Sequence, residues 1–233
     1  MTSNGVGRSG SAPPLLVTAM RLLNYFRSSA SYRVRIACNL KGLPYEYVPI
    51  HLNRNGGEQF GPEFSEVNRQ QLVPVLHDGD FHIAQSLAIL EYLEERYPVA
   101  PLLPADIQSR ARVREIALYI ACDMSPLNNL RILKFLTGGL NLTEEQKTTW
   151  IMHWLETGLS ALENQLQRSS TRGAFCFGDT PTVADCCLVP QLFSAKRFGV
   201  DIERFPTLQT IERNCQEMEA FRLAQPGLQP DAE

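Results

Sequence analysis

The spacing of apolar and polar positions changes character partway along the chain. From Met20 the pattern switches quickly between strand and helix. Arg21 to Phe26 reads as a short strand, and Ser29 to Leu40 as a helix opened by serines suited to N-capping and closed by Gly42. Tyr45 to Ile50 alternates as a strand does, and Pro62 to Val67 holds a short, weak helix. Val73 to His77 predicts a strand that runs into an Asp78-Gly79-Asp80 turn, with Phe81 to Ile83 returning as its hairpin partner. Gln85 to Tyr97 is amphipathic: Ile89, Leu90, Leu93 and Tyr97 share one face, and Glu91, Glu94 and Glu95 are expected to face away from it. The order β-α-β-α-β-β-α describes a small α/β sandwich. A right-handed β-α-β crossover makes its first half parallel.

A break follows at Pro98-Val99-Ala100-Pro101-Leu102-Leu103-Pro104, too rich in proline for regular helix. Beyond it the period stays helical over Ile107 to Leu136, Thr143 to Gln167, Thr182 to Phe198 and Thr207 to Ala224. Pro126 should kink or break the first of these, and Gly138-Gly139 ends it. The expected division is a domain over 20–98, a linker over 99–105 and an all-helical domain over 106–233. Residues 1–19 are rich in Ser, Gly and Pro and lack the basic start and apolar core of a signal peptide. They read as a disordered leader or an upstream extension, with Met20 an alternative start. Thr182 and Asp185 form an acidic variant of the capping box, and a buried folding cap is the reading for Asp185.

Composition narrows the class. With 44% hydrophobic and 20% charged residues the chain can bury a sizeable core. A net charge of -3, from 22 basic and 25 acidic residues, suits neither phosphate neutralisation on nucleic acid nor a polybasic membrane contact. The 6 cysteines are scattered without a C-x-x-C pair, which predicts free thiols and a reducing, cytoplasmic setting. The 4 histidines form no H-x-x-x-H pair, so no metal site is expected.

Arg27-Ser28-Ser29-Ala30-Ser31-Tyr32-Arg33-Val34-Arg35-Ile36-Ala37 lies where the first strand turns into the first helix, and it resembles the signature of the zeta class of glutathione transferases. Val73-Pro74, Gln85-Ser86-Leu87-Ala88-Ile89, Pro126-Leu127-Asn128-Asn129-Leu130, Gly178-Asp179 with Ala184-Asp185, and Leu188-Val189-Pro190-Gln191 are similar to further words of that class. The resemblance runs from about Met20 to the C-terminal end and implies an α/β plus all-α architecture. A thioredoxin-like domain would bind glutathione, and a helical domain would carry the substrate pocket. It also implies a homodimer.

On their own, serines at a helix start are ordinary caps, but a helix N-terminus also attracts an anion. The resemblance makes that anion the glutathione thiolate, with Ser28 or Ser29 as its principal donor. It assigns glutathione binding to Ser28, Ser29, Ala30, Ser31, Tyr32, Arg33, Gln59, Val73, Gln85, Ser86, Ser125, Asn129, Leu130 and Arg131. Val73 would pair with the glutathione backbone, beside a proline that is typically cis in this fold. Ser86 would hold the γ-glutamyl carboxylate, and Gln59 would reach the glycyl end. The signature commonly has cysteine at Ala30 and tryptophan at Tyr32, and the class often has glutamine at Ser125 and a small residue at Arg131. The cysteine departure leaves the serines and bound glutathione as the catalytic set.

The class includes maleylacetoacetate isomerases, with maleylpyruvate isomerases among close bacterial relatives. Their substrates are dicarboxylates, which guanidinium forks bind well, so Arg27, Arg131 and Arg197 are expected to form a cationic pocket. The expected reaction is a glutathione-dependent cis–trans isomerisation in aromatic amino-acid breakdown. The alternatives are maleylpyruvate isomerisation, glutathione transfer to small electrophiles such as α-halo acids, and a non-enzymatic glutathione-binding module. An intact set of Ser28, Ser29, Gln85 and Ser86 argues against the last.

Overall fold

A computed structural model describes residues 20–233, and the expectation of a disordered leader over 1–19 lies outside the described residues. Four short strands form one mixed sheet in the order β2-β1-β3-β4. Strand β1 (Arg21–Asn24) pairs in parallel with β2 (Glu46–Pro49), joined by α1 (Ser29–Leu40). On its other side β1 pairs antiparallel with β3 (Val75–Asp78), with Leu22 opposite Leu76, and β3 forms a hairpin with β4 (Phe81–Ala84). The expected parallel first half is present.

The two central strands, β1 and β3, do not cover the whole of their predicted runs, for identifiable reasons. Tyr25 and Phe26 leave β1 because the chain turns there, with the Ser28 N–H bonded to the Tyr25 carbonyl at 3.0 Å. Val73 and Pro74 stay outside β3, where the Val73–Pro74 peptide is cis and Pro74 has no N–H for the ladder. Helices α1 and α3 (Ser86–Arg96) bury Val34, Ile36, Ile89, Leu90 and Leu93 with Leu22 and Leu76 in the main core. Short α2 (Pro62–Val67) packs Phe64 with Leu23, Tyr25 and Val75 in a smaller apolar cluster.

One surface assignment on α3 is corrected. Glu94 does not face water: its side chain is 8% exposed, and it lies 2.8 Å from the wholly enclosed Lys41 Nζ. The proline-rich connection causes this. Its Leu102 and Leu103 N–H groups donate to the two Glu94 carboxylate oxygens at 3.0 and 3.1 Å, and both leucine side chains are buried. A carboxylate that sequence periodicity places at the helix edge thus becomes the anchor of the connection.

Beyond it no strand occurs among the described residues. Helix α4 (Ile107–Leu118) passes into a π-helical turn over Tyr119–Met124, then α5 (Ser125–Leu127) and α6 (Leu130–Gly138). The expected break at Pro126 is spread over this stretch. A widened turn just before a proline eases the clash between its ring and the carbonyl one turn back. Helix α7 (Glu144–Arg168) begins with a Thr143–Gln146 capping box, and α8 (Val183–Arg197) with the expected Thr182–Asp185 box. Asp185 is completely buried and accepts from the Cys176 and Thr182 N–H groups and the Thr182 hydroxyl, which makes it a folding cap. The last predicted helix is split at Met218 into α9 (Pro206–Glu217) and α10 (Glu219–Leu223).

All six cysteines are free; Cys122 is exposed and the others are buried. No group of His, Cys, Asp and Glu among the described residues could hold a metal ion, and no described helix is long and apolar enough to cross a membrane.

Candidate active site

The β1–α1 turn, the segment before β3 and the start of α3 face α5, α6 and α8 across a cavity of about 700 Å³. Its charged lining is one-sided. Arg27, Arg33, Arg131, Lys134, Lys147 and Arg197 reach it, and no Asp or Glu does. In a chain with more acidic than basic residues, this concentration of positive charge points to an anionic ligand.

At the serine turn, Ser28 is the N-cap of α1, with extended backbone, and its Oγ accepts the Ser31 N–H at 3.2 Å. That leaves the Ser28 hydroxyl proton free to point into the cavity, which Ser28 lines. Ser29 also lines it, but its hydroxyl donates to the Pro190 carbonyl at 3.4 Å. Ala30 is at the wall. Ser31 and Tyr32 are not: both are buried behind the turn, Ser31 accepting the Tyr25 N–H at 3.4 Å and Tyr32 packing edge-on against Phe193.

Arg33 is 3% exposed and has no carboxylate partner among the described residues. Its guanidinium donates to the Ser86 hydroxyl at 3.1 Å and the Ser125 hydroxyl at 2.5 Å, and Ser125 donates onward to Gln191 Oε1 at 2.7 Å. This chain crosses from α3 through α1 to α5 and α8. The Arg33 Nε has no partner, and burial pulls the guanidinium pKa downward. A buried cation without a counter-charge is costly, and an anion in the cavity offsets that cost.

Other groups wait in the same way. Gln59 is buried, and its Oε1 has no hydrogen-bond partner among the described residues. Neither peptide group of Val73 is hydrogen-bonded among the described residues outside the strands, so an extended peptide can pair there. Gln85 holds a positive φ of 72° at the cap of α3, a conformation that costs a non-glycine residue about 1–3 kcal/mol. Its amide donates to Gln70 Oε1. Asn129 caps α6 by accepting the Arg131 N–H at 3.1 Å, and Leu130 and Arg131 line the cavity with it.

The three expected arginines share the cavity wall. Arg27 donates to the Tyr25 hydroxyl at 3.1 Å and lies 5.0 Å from the Phe26 ring centre. Arg197 lies 4.4 Å from the Phe198 ring centre. Its pKa is drawn down by burial first and then by the positive charge of Arg27, which places the two cations within each other's field.

Several lining residues were not anticipated. Both amide atoms of Asn128 are buried without partners, and Gln191, Cys122 and Lys134 also reach the wall. Asn128 and Gln191 stand inside the words quoted for the resemblance, which was the available signal. Cys122 and Lys134 carried none, since their placement depends on the π turn and on the α6 register.

A thioredoxin-type sheet, a cis proline beside open peptide groups and a serine-capped helix facing a second, helical layer define a glutathione-binding transferase. Models of the glutathione S-transferase N-terminal and C-terminal domains match residues 22–102 and 154–212. The chain is 47% identical over 211 residues to a probable maleylacetoacetate isomerase of Vibrio cholerae, covering 91% of this chain and 97% of that one. A holo maleylpyruvate isomerase, described as a bacterial zeta-class glutathione transferase, superposes with a TM-score of 0.88 at 46% identity, covering 91% of this chain and all of that one. A maleylacetoacetate isomerase of Methylobacterium extorquens with bound malonate and glutathione gives 0.88 at 39% identity, covering 91% and 99%. The chain belongs to the zeta class of the glutathione S-transferase family.

Proposed function

We propose that the protein is a glutathione-dependent cis–trans isomerase acting on maleylacetoacetate. The observation that carries this reading is the wall of basic residues without a carboxylate, set beside a serine turn with one free hydroxyl proton. Unpartnered atoms on Gln59 and Arg33 and the open Val73 peptide fit a peptide-like, anionic cofactor. Glutathione binds here through Ser86 and Arg33 at its γ-glutamyl end, Val73 along its backbone and Gln59 at its glycyl end.

When bound, glutathione supplies a thiolate whose reversible addition to an activated cis double bond turns it into a rotatable single bond. The work of the chain is to prepare for that. Ser28 donates its hydroxyl proton toward the sulfur, and the first N–H groups of α1 add partial positive charge, both favouring the ionised thiol. Arg27, Arg131 and Arg197 grip the substrate carboxylates and stabilise negative charge that develops beside them. Fixing both reactants in one cavity removes much of the entropic cost of their encounter.

The division of the chain at 99–105, a homodimer and a cytoplasmic role in aromatic amino-acid breakdown belong to the same proposal. Sedimentation tests the dimer. A second reading is maleylpyruvate isomerisation, favoured by Arg131, which puts a charged side chain at the cavity wall where the class often has a small residue and so suits a smaller, more compact diacid. Incubation with each cis substrate, with and without glutathione, separates the two. Absence of glutathione-dependent isomerisation of both would overturn the proposal.

A further inference from the structure

The residues from Pro226 to Glu233 leave the helical layer and return to the sheet, where two acidic side chains grip the elements under Arg27. Asp231 Oδ2 accepts the Phe26 N–H at 3.2 Å, while its other oxygen accepts the Tyr47 hydroxyl on β2. Phe26 has just left β1, so its N–H has no ladder partner, and Asp231 supplies one across 205 residues of sequence. The Phe26 carbonyl is held from the other side by Arg35 at 2.9 Å, and Arg35 also donates to the Ala224 carbonyl at 3.1 Å. The backbone N–H of Phe26 therefore ends on Asp231 of this segment, and its carbonyl on Arg35, which is tied to the C-cap of α10 just before the segment begins.

Two residues further on, Glu233 holds the floor of the same platform. His51 Nδ1 accepts the Asn53 and Arg54 N–H groups at 3.2 and 2.8 Å, which requires its proton on Nε2. That Nε2–H donates to Glu233 Oε1 at 3.1 Å, and Arg54 closes on the same oxygen at 2.7 Å. The His51 ring in turn stands edge-on to Tyr25, with centres 4.9 Å apart, and the Tyr25 hydroxyl accepts from Arg27. The phenyl ring beneath Arg27 belongs to Phe26 itself.

We infer that Asp231 is a positioning residue for the substrate-binding Arg27, with Glu233 supporting it through His51 and Tyr25. The C-terminal segment acts as a clasp that sets the direction in which Arg27 enters the cavity. Ser28 is less dependent on the clasp, because α1 carries its own hydrogen bonds to the serine turn. The clasp therefore bears on dicarboxylate binding rather than on glutathione binding. This inference rests on the reading of Arg27 as a carboxylate ligand.

The test compares the full chain with Asp231→Ala, Asp231→Asn and Glu233→Ala. Two readouts are taken: KM for maleylacetoacetate and for glutathione separately, and amide hydrogen exchange of the segment 24–31. Asp231→Ala should raise the KM for the diacid about tenfold, as loss of a charge-assisted hydrogen bond does, with the glutathione KM within about twofold. Exchange in 24–31 should quicken. Asp231→Asn keeps an acceptor for the Phe26 N–H and should recover most of both effects, and Glu233→Ala should show a smaller shift in the same direction. An unchanged diacid KM, or both KM values rising together, overturns the inference. If the wild-type chain isomerises neither cis diacid, the functional reading fails separately. Exchange then decides the clasp alone: quickening confined to 24–31 upholds it, and unaltered exchange in Asp231→Ala removes it.

Discussion

Lys41 Nζ and Glu94 Oε2 meet at 2.8 Å in a closed site, and their other hydrogen-bond partners are backbone groups. Lys41 also donates to the Tyr97 and Ala100 carbonyls, at 2.9 and 3.3 Å, and Glu94 receives the Leu102 and Leu103 N–H groups. Removing one partner strands the other charge. Glu94→Ala should lower unfolding stability by about 3–5 kcal/mol, measured by urea denaturation. The double variant Lys41→Met, Glu94→Leu should recover part of that loss. A Glu94→Ala protein as stable as the parent would show that the pair is only incidental.

The two serines of the β1–α1 turn that line the cavity, Ser28 and Ser29, should behave differently. Ser28→Ala removes the free donor and should cut kcat about 10²-fold or more, the usual cost of one aimed donor at a developing or stored charge. It also removes the α1 cap, at about 1 kcal/mol of stability. Ser29→Ala loses only a long bond to Pro190 and should stay within several-fold of the parent. Titrating the ultraviolet absorbance of bound thiolate checks the assignment directly, since its apparent pKa should rise in Ser28→Ala alone.

Single alanine replacements of Arg27, Arg131 and Arg197 should each raise the diacid KM by about 10- to 100-fold, the worth of a hydrogen bond to a charged group. Replacing Arg131 by leucine keeps the bulk and separates charge from fit. Because the basic wall acts at a distance, kcat/KM should also fall as salt is raised, with the Debye length shrinking from about 30 Å at 0.01 M to about 3 Å at 1 M. A flat salt response would mean that the wall does not draw the substrate in.

Thiol chemistry should select one residue. Burial pushes the Cys38 thiol up to about 12 and Cys187 to about 11, and raises Cys176, Cys186 and Cys215 as well. A raised pKa delays the thiolate, so these five should stay inert as pH is taken from 7 to 9. Cys122 is exposed and lines the cavity, so native alkylation should add one label there, and S-methylglutathione should slow it. Peptide mapping that found a second labelled cysteine would contradict this.

The sequence carried the fold because its local signals agree. Ser28 and Gly42 bracket α1, Pro98 to Pro104 interrupts the pattern, and Thr182 with Asp185 starts α8 where a helix was expected. What it concealed were contacts between distant segments. Periodicity sees Glu94 as an outer position on α3 and cannot see the proline-rich stretch whose Leu102 and Leu103 fold over it. Ser31 and Tyr32 belong to the same word as Ser28, yet helical rotation carries them behind the turn, out of the cavity. Lys134 and Cys122 were hidden for the same kind of reason: their direction depends on a helical stretch that does not keep one period.

That change of period has a consequence of its own. Over Tyr119–Met124 the chain makes a wider turn than an α-helix, with the Ser125 N–H reaching back to the Ile120 carbonyl. Each residue of an α-helix advances about 100° around the axis, so one position too many is equivalent to a quarter-turn screw applied to everything after it. Deleting Asp123 from this stretch would restore a regular spiral at no loss of apolar content. It would also swing Ser125, Asn129 and Arg131 away from the wall they share with Arg27. The helical half of the cavity is thus aimed by a count of residues, and the chain length between Leu118 and Pro126 is as much a part of the site as any side chain that lines it.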